Sequence, residues 1–293
     1  MPEGRIVKAL SGFYYVQSSD KMYACKGRGL FRNQNITPLV GDYVIFEKTN
    51  DEEGYITEIK PRKSELIRPP IANVTQAVVV HSANHPTFSA LLLDRFLVIL
   101  ELKNIKPFIL ITKKDLATKK QMKKIEQYKK AYEQLGYKVQ FLSLTEDADV
   151  ETIIQFFEGE TTVLMGQSGV GKSTLLNVIN PQFDINTGEV STTLGRGRHT
   201  TRHVELLEIN NGLVADTPGF SSIEFSEIEA EDLADGFVEL KEYRKSCKFR
   251  SCLHVKEPKC AVKKAVAEGQ IEEFRYKHYL SFLQEILSRK PRY

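Results

Sequence analysis

The sequence predicts three consecutive parts: an all-β barrel, an α/β domain with a largely parallel sheet, and a small, mainly helical module that contains a cysteine cluster. Short strand-like stretches separated by Gly, Asp and Asn fill residues 1–69, as in small barrels. Apolar runs then alternate with helical stretches in residues 70–225, which is the βαβ pattern. Three of the four cysteines fall close together within residues 226–293. We place the domain boundaries between these ranges.

Length and charge limit the possibilities without fixing a function. A chain of 293 residues holds two or three domains with modest cores rather than one. The net charge of +3 is too small to indicate nucleic-acid binding, but its distribution is uneven. Residues 224–239 contain seven acids and no Lys or Arg, whereas residues 241–264 contain nine basic residues and two acids. This reversal indicates an anion-facing patch.

The predicted barrel strands include "GFYYVQS", "KMYACKG", "DYVIFEK" and "GYITEIK". Such barrels bind oligonucleotides through aromatic and basic side chains. Two roles stay open for each such residue here, because aromatic rings also fill barrel cores and charged groups are often merely solvated. The candidates are Tyr14, Tyr23, Lys26, Arg28 and Arg32. Cys25 is expected to be a small core residue.

The stretch "GQSGVGKST" follows the apolar stretch "TTVLM" and opens the helical run "STLLNVI". It matches G-x-x-x-x-G-K-[ST], in which glycines let backbone N–H groups face phosphates at a helix N-terminus. Lys172 would reach the β- and γ-phosphates, and the Ser173 hydroxyl would hold Mg²⁺. A chance Gly-rich turn is the alternative. The predicted phosphate-binding residues are Gly166, Gln167, Ser168, Gly169, Val170, Gly171, Lys172, Ser173 and Thr174.

Two downstream segments complete the predicted phosphate site. "GLVADTPGF" is an apolar run that reaches Asp216, whose carboxylate is expected beside Mg²⁺, while the Gly219 amide senses the γ-phosphate. An ordinary strand followed by a Pro-Gly turn is the alternative. The polar segment "GRGRHTTRH" is typical of a switch loop, in which Thr200 or Thr201 supplies a second hydroxyl to Mg²⁺. We favour Thr201, and we expect Thr201 and Lys172 to act in catalysis.

A base-reading motif lies upstream of the phosphate loop. "KPFILITKKDL" is an apolar strand that ends in a variant of the N-K-x-D signature for guanine. The Asp115 carboxylate would accept from guanine N1–H and the N2 amine, which adenine lacks, so the predicted substrate is GTP. Thr112 replaces the usual Asn, which leaves its side-chain contacts open, and Lys113 follows it. Near Ser143, at the end of "VQFLSL", a backbone N–H would meet guanine O6. The alternative for "TKKD" is solvated surface charge.

The cysteine cluster has the pattern C-x4-C-x-H-x5-C and consists of Cys247, Cys252, His254 and Cys260. Three thiolates and one imidazole match the closed tetrahedral set of structural zinc and leave no position for a catalytic water. A metal also makes physical sense, because so short a loop-rich segment buries little apolar surface alone. The alternative is free buried cysteines beside a surface His. We predict one structural Zn²⁺.

The motifs run in the order base motif, Ser143 strand, phosphate loop, switch segment and Asp-Thr-Pro-Gly, which is a rotation of the usual GTPase order. With "ALSGFYYV", "LVGDYVIFE" and "SCKFRSCLHVKEPKCAV", essentially the whole chain resembles the RsgA family of circularly permuted GTPases that depend on the small ribosomal subunit. The resemblance implies an OB-fold barrel, a circularly permuted P-loop GTPase domain and a zinc-binding module. It also implies hydrolysis of GTP to GDP and phosphate, stimulated by the small subunit during its late assembly, with the flanking domains on rRNA.

The sequence also leaves the attacking water without its usual partner. Gly219 is followed by Phe220, which has no polar group to orient water as the Gln of many GTPases does. His199 immediately precedes the threonine pair, and the matching position of the family also carries His. We therefore expect His199 to act on that water, either as an acceptor or as a cation. A loop His that packs or contacts rRNA is the alternative.

Two other functions stay open: a nucleotide-gated RNA-binding protein with negligible turnover, and another P-loop RNA-processing NTPase. The sequence shows no separate acceptor site or nuclease carboxylate cluster, which argues against the second. The N-terminus lacks the apolar core of a signal peptide, and the apolar run "LLLDRFLVIL" is broken by Asp94 and Arg95. We expect a monomeric, cytoplasmic protein with no membrane partner.

Overall fold

The computed structural model describes residues 1–27, 31, 36–67, 69–143, 147–180, 204–216, 225 and 228–289. Its first part is a five-stranded barrel. The strands follow the order β1-β2-β3-β5-β4, β4 pairs back onto β1, and β3 runs parallel to β5. This closed arrangement is that of an OB-fold. The strands are β1 Glu3–Leu10, β2 Phe13–Ser18, β3 Lys21–Gly27, β4 Tyr43–Lys48 and β5 Glu53–Ile59.

The barrel core settles one of the open assignments. Tyr23 is 3% exposed, and its hydroxyl accepts a hydrogen bond from the Lys48 ammonium at 2.7 Å, so Tyr23 is a core residue. Cys25 is fully buried, as expected, and burial raises the pKa of its thiol to about 11. Lys26 is exposed and lies over the Phe13 ring. Arg28 and Arg32 lie outside the described residues.

The second part is a six-stranded sheet in the order β10-β9-β8-β11-β13-β12. All neighbouring pairs are parallel except β12 with β13. Every residue of β8 and β11 is buried, because helices cover both faces of a parallel sheet. A short hairpin, β6 Glu65–Ile67 and β7 Pro70–Ala72, precedes the sheet. The sheet strands are β8 Gln76–Ser82, β9 Lys106–Thr112, β10 Lys138–Phe141, β11 Thr161–Met165, β12 Glu205–Ile209 and β13 Gly212–Asp216.

Helices pack on both faces of this sheet, as predicted. Alternate residues of β8 contribute to the apolar cores on opposite faces of the sheet. Val79 shares one core cluster with Phe96, whereas Val80 shares another with Leu175. Helix α1 starts at the Ser89 cap, whose side chain accepts from the Leu92 amide. The helices are α1 Ala90–Leu102, α2 Lys119–Gln134, α3 Asp147–Ile154 and α4 Lys172–Ile179.

The described residues of the third part form three α-helices around an apolar core. The helix near the C-terminus buries Tyr279, Phe282 and Ile286. Phe274, on the same helix, packs instead against the core of the α/β domain. The helices are α5 Val238–Arg244, α6 Ala261–Ala267 and α7 Glu273–Leu287. None of the helices in the described ranges has both the length and the apolarity needed to span a membrane.

A fully buried ion pair joins the third part to the second. Asp94, which interrupts the apolar run in α1, is completely buried and pairs with Arg275 of α7. Arg275 also donates from Nε to Glu239 at 2.6 Å, and the Tyr132 hydroxyl donates to Asp94 at 2.6 Å. Burial alone would lower the pKa of Arg275, but the two carboxylates hold it well above its usual value. Arg275 therefore stays charged inside the protein.

The barrel is connected to the α/β domain through β1. Strand β1 pairs antiparallel with β12, with Lys8 opposite Glu205, so the barrel and the sheet share one run of strands. The Lys8 ammonium lies 2.8 Å from the Glu205 carboxylate, and the Arg5 guanidinium donates to the Thr161 hydroxyl at 2.9 Å. No sequence pattern predicted β1 as a strand. The strand that follows the predicted switch segment is therefore also a neighbour of the barrel.

Candidate functional site

The phosphate loop lies between β11 and α4, as the motif predicts. Gly166 has a φ of 146°, and a Cβ there would lie 2.2 Å from the Val80 carbonyl oxygen. Gly171 has a φ of 100° and precedes the first residue of α4. A side chain at Gly166 is excluded by the neighbouring strand, and both glycines have backbone conformations that favour glycine. The loop therefore brings backbone N–H groups to the positive end of a helix.

Lys172 extends over this loop. Its Nζ lies 2.7 Å from the carbonyl oxygens of both Gly166 and Gln167. Burial lowers the pKa of Lys172 to about 8. Ser173 follows in the first turn of α4 and is half-buried, while Thr174 and Ser168 are exposed. The ammonium is thus held where it would meet phosphate oxygens bound by the loop.

The upstream base motif meets the phosphate loop directly. Thr112, the last residue of β9, is fully buried, and its Oγ1 lies 2.6 Å from the Val170 carbonyl oxygen. Lys113 has left-handed backbone with a φ of 56° and donates to the Gly169 carbonyl at 2.6 Å. Lys113 also donates to the His85 carbonyl at 2.7 Å. These hydrogen bonds therefore join the end of β9 to the phosphate loop, although the two are far apart in sequence.

Asp115 and Ser143 lie at the same edge of the sheet. Asp115 sits in a one-turn 3-10 helix, Lys114–Leu116, that follows β9, and it is exposed. Ser143 lies two residues past β10 and is fully buried. Because β9, β10 and β11 are parallel, their carboxyl ends meet at one edge, which is where ligands bind in open α/β sheets.

The remaining residues of the predicted phosphate site lie in the switch segment, at the end of β13 and just after it. Asp216 is the last residue of β13, and β13 is parallel to β11, so this strand also ends at the edge of the phosphate loop. His199, Thr201 and Gly219 lie outside the described residues, and so does the side chain of Asp216. Their roles stay predictions.

The end of β8 and the loop that follows it contribute contacts that no sequence pattern predicted. The Asn84 side chain donates to the Leu116 carbonyl at 2.9 Å, next to the base motif. The His81 ring is buried between Phe88 and Phe96, and burial lowers its pKa to about 4, so the ring is neutral. The only sequence signal was the polar segment "HSANHP" after a buried strand, which predicts a loop but no contacts.

The four predicted zinc ligands come together in the third part. One ligand atom from each residue lies within 4.8 Å of the others. The Sγ atoms of Cys247 and Cys260 are 3.9 Å apart, and His254 Nδ1 lies 3.3 Å from Cys260 Sγ. A tetrahedron with Zn–S bonds of about 2.3 Å has S–S edges of roughly 3.8 Å, so the separation fits zinc. Cys252, Cys260 and His254 are buried, as in a closed structural site.

The thiol chemistry of this cluster also favours a metal. Burial raises the pKa of the Cys252 thiol to about 12, so a thiolate here requires an adjacent positive charge. Burial lowers the pKa of His254, which keeps its imidazole neutral and able to ligate. The cluster is therefore compatible with a zinc site.

A basic depression lies beside the cysteine cluster. Arg244 is paired with Asp235 at 2.7 Å, and that leaves an excess of positive charge around the opening. Phe249 adds an exposed aromatic ring. The residues that line the depression are Asp235, Lys241, Arg244, Lys245, Cys247, Phe249 and Arg250. All of these residues except Asp235 belong to the basic segment, residues 241–264, that the charge pattern predicted to face an anion.

A phosphate loop, a guanine-type motif placed upstream of it, and this strand order define a GTPase domain with circularly permuted connectivity. Residues 59–226 match the profile described as RsgA GTPase, and residues 3–56 match the RsgA N-terminal domain. The chain belongs to the RsgA GTPase family. The resemblance and the fold class that the sequence predicted are thereby confirmed.

Relatives match the chain over its full length. It is 59% identical to "Small ribosomal subunit biogenesis GTPase RsgA 2" of Oceanobacillus iheyensis, with 100% of each chain covered. It is 56% identical to "Small ribosomal subunit biogenesis GTPase RsgA" of Bacillus subtilis, again with 100% of each covered.

Two crystal structures are also similar. YloQ, a circularly permuted GTPase, is 52% identical with a TM-score of 0.84, covering 100% of this chain and 97% of that one. YjeQ from Thermotoga maritima is 34% identical with a TM-score of 0.85 and 99% coverage of each chain.

Proposed function

We propose that this GTPase binds the small ribosomal subunit, acts in its biogenesis, and hydrolyses GTP faster when bound. The observation that supports it best is the contact of Thr112 and Lys113 with the phosphate loop, because it brings the predicted guanine motif to the predicted phosphate site. Relatives with full-length similarity are named for small-subunit biogenesis. The proposed domains are residues 1–69, 70–225 and 226–293.

The nucleotide roles follow from position. Asp115 accepts from guanine N1–H and N2, and the amide near Ser143 meets O6. Lys172 contacts the β- and γ-phosphates from its place over the loop. The hydroxyls of Ser173 and Thr201, with Asp216 nearby, would hold Mg²⁺, which would supply positive charge to stabilise the phosphates in the transition state.

His199 is the proposed partner of the attacking water, and the reason is the absence of a polar side chain at Phe220. The imidazole accepts from the water or, when protonated, offsets developing charge. His199→Ala should then bind GTP nearly normally and lose most of its stimulated turnover, as a fall in kcat with little change in KM. A near-wild-type rate in single-turnover hydrolysis on saturating small subunits would remove His199 from the mechanism.

Zinc is proposed to hold the third part together, and the basic depression beside it is proposed to contact rRNA phosphates. Lys241, Lys245 and Arg250 line that depression. Binding to the small subunit should therefore weaken as added salt competes with these side chains for the rRNA phosphates. Charge reversal at Lys248 and Arg250 should weaken binding to the small subunit. Reversal at Lys123 and Lys124, in the lysine-rich α2, is the matched control and should have little effect, because we assign that face to solvent.

Steady-state GTP hydrolysis with purified small subunits, with large subunits and without either tests the proposed function. Stimulation by small subunits alone supports it. GTP-dependent binding to small subunits without stimulated hydrolysis would instead indicate a nucleotide-gated RNA-binding protein. Equal stimulation by large subunits or free RNA would point to a general RNA-processing NTPase.

A further inference from the structure

The turn that carries Asp115 has little internal support. It is a single 3-10 turn, Lys114–Leu116, closed by backbone hydrogen bonds of 3.1 and 3.3 Å. Hydrogen bonds in a 3-10 turn have poorer geometry than those of an α-helix. Asp115 and Leu116 are both exposed, so burial does not fix them either. The position of the Asp115 carboxylate therefore depends on contacts from outside the turn.

The loop after β8 makes such contacts on both sides of Asp115. The Asn84 side-chain amide donates to the Leu116 carbonyl at 2.9 Å, one residue after Asp115. Two residues before Asp115, the Lys113 ammonium donates to the His85 carbonyl at 2.7 Å. The last carbonyls of a helical turn have no partner within it, so the Asn84 amide supplies a donor that the turn itself lacks. The loop thus holds the turn at its start and at its end.

Asn84 is itself fixed to the end of β8. The Ser82 hydroxyl donates to the Asn84 carbonyl, and Ser82 is 1% exposed. The Ala83 amide donates to the Thr112 carbonyl at 2.9 Å, which continues the pairing of β8 with β9. The Asn84 side-chain oxygen accepts from the His85 amide at 3.1 Å. The amide group of Asn84 therefore reaches the turn from a well-ordered strand end.

Placement of the turn matters for base selection. A carboxylate that accepts from both N1–H and the N2 amine of guanine must direct its two oxygens at two donors at once, and hydrogen bonds weaken steeply with misalignment. Hypoxanthine has the N1–H but no amine at C2. The preference for guanine over hypoxanthine therefore reports how well the Asp115 carboxylate is placed.

We propose that Asn84 is a positioning residue for guanine recognition, which holds the Asp115 turn through the Leu116 carbonyl. This rests on the role proposed above for Asp115. Phosphate binding should not depend on Asn84, because the phosphate loop follows β11 and keeps its own hydrogen bonds with Thr112 and Lys113.

The test is the affinity for GDP and for inosine diphosphate (IDP), measured by calorimetric titration of wild type, Asn84→Ala and Asn84→Asp. We expect GDP affinity to fall about tenfold and IDP affinity by less than about twofold, so that the preference for GDP falls about fivefold or more. Asn84→Asp removes the donor and keeps the acceptor for the His85 amide. Its added charge acts equally on the two nucleotides, because their phosphates are identical.

Asn210→Asp is the matched control. Asn210 is also exposed to solvent in part, and its side-chain amide also donates to a backbone carbonyl, that of Ile154, at 3.3 Å. It lies between β12 and β13, at the edge of the sheet opposite the phosphate loop. Its preference for GDP over IDP should equal that of wild type.

Two results would overturn the proposal. One is a wild-type preference for GDP in both Asn84 variants, and the other is an equal loss of affinity for GDP and IDP, which indicates a general disturbance of the site. Asp115→Ala separates this role from the guanine assignment. If Asp115→Ala loses the preference and the Asn84 variants keep it, only the positioning role fails. If Asp115→Ala keeps the preference, the guanine assignment fails and the positioning role fails with it.

Discussion

The hydroxyl of Thr112 donates to the carbonyl oxygen of Val170 at 2.6 Å, so the end of β9 is hydrogen-bonded to the phosphate loop. Thr112 stands where the related guanine signature has Asn, and its contacts were the open point of the base motif. Its side chain is fully buried and faces the loop. Thr112 therefore supports the phosphate loop from the side on which the predicted base motif lies.

Thr112→Val keeps the shape of the side chain and removes the donor. The Val170 carbonyl then loses its partner in a buried place, which costs about 1–3 kcal/mol. We expect GDP affinity to fall by about fivefold or more, measured with a fluorescent GDP analogue. Thr112→Ser keeps the hydroxyl and should bind nearly as wild type. Equal affinities in the two variants would show that the hydrogen bond does not matter.

The pKa of Lys172 predicts how the affinity for nucleotide depends on pH. Burial lowers the pKa of its ammonium to about 8, and phosphate oxygens favour the charged form, so nucleotide binding raises that pKa. Below pH 8 the group is already charged and affinity is at its maximum. Above pH 8 binding must take up a proton, and affinity falls by up to about tenfold per pH unit.

Calorimetric titration with GDP between pH 7 and 9 measures this slope. Lys172→Arg is the control, because a guanidinium stays charged throughout and the titration of guanine itself is shared by both proteins. A wild-type affinity that is flat across pH 8, or a slope that persists unchanged in Lys172→Arg, would contradict the assignment.

Local patterns predicted the phosphate loop, the base motif and the cysteine cluster, because the spacing of a few residues determines each. They did not predict the partners of Asp94, since Arg275 lies 181 positions away and only the packed helices bring the two together. The pairing of β1 with β12 was not predicted for the same reason, because it joins strands that are far apart in sequence. Lys113 was predicted as a nucleotide-binding residue, but its contacts with Gly169 and His85 depend on loops that have no local pattern.

The buried ion pair predicts a large effect on stability. Arg275→Met removes the cation and leaves Asp94 and Glu239 as adjacent buried carboxylates, which should cost about 3–5 kcal/mol of unfolding free energy. Urea unfolding followed by circular dichroism measures it. Lys277→Ala breaks a well-exposed ion pair with Glu273 on the same helix and should cost less than about 1 kcal/mol. Similar losses in both variants would exclude a special role for the buried pair.

Metal analysis tests the cysteine cluster. Protein purified without chelator should contain about one zinc per chain, and Cys252→Ser should lose it. The third part of the chain should then become sensitive to protease before the α/β domain does, because the proposed zinc would hold that loop-rich segment together. Cys25→Ala is the control. It changes a buried cysteine of the barrel, and the variant protein should still contain zinc. Freshly purified wild-type protein without zinc would reject the site.

The most direct test of the guanine-nucleotide site is the relative affinity of wild type and Asp115→Asn for GTP and xanthosine triphosphate. Under the proposed assignment the Asp115 carboxylate would pair with guanine N1–H and N2, whereas an amide would donate to the C2 oxygen of xanthine. We predict that wild type prefers GTP and that Asp115→Asn reverses this preference, because the wrong base leaves polar groups unpaired. Unchanged preference for GTP in Asp115→Asn would contradict the assignment of this edge as the guanine site.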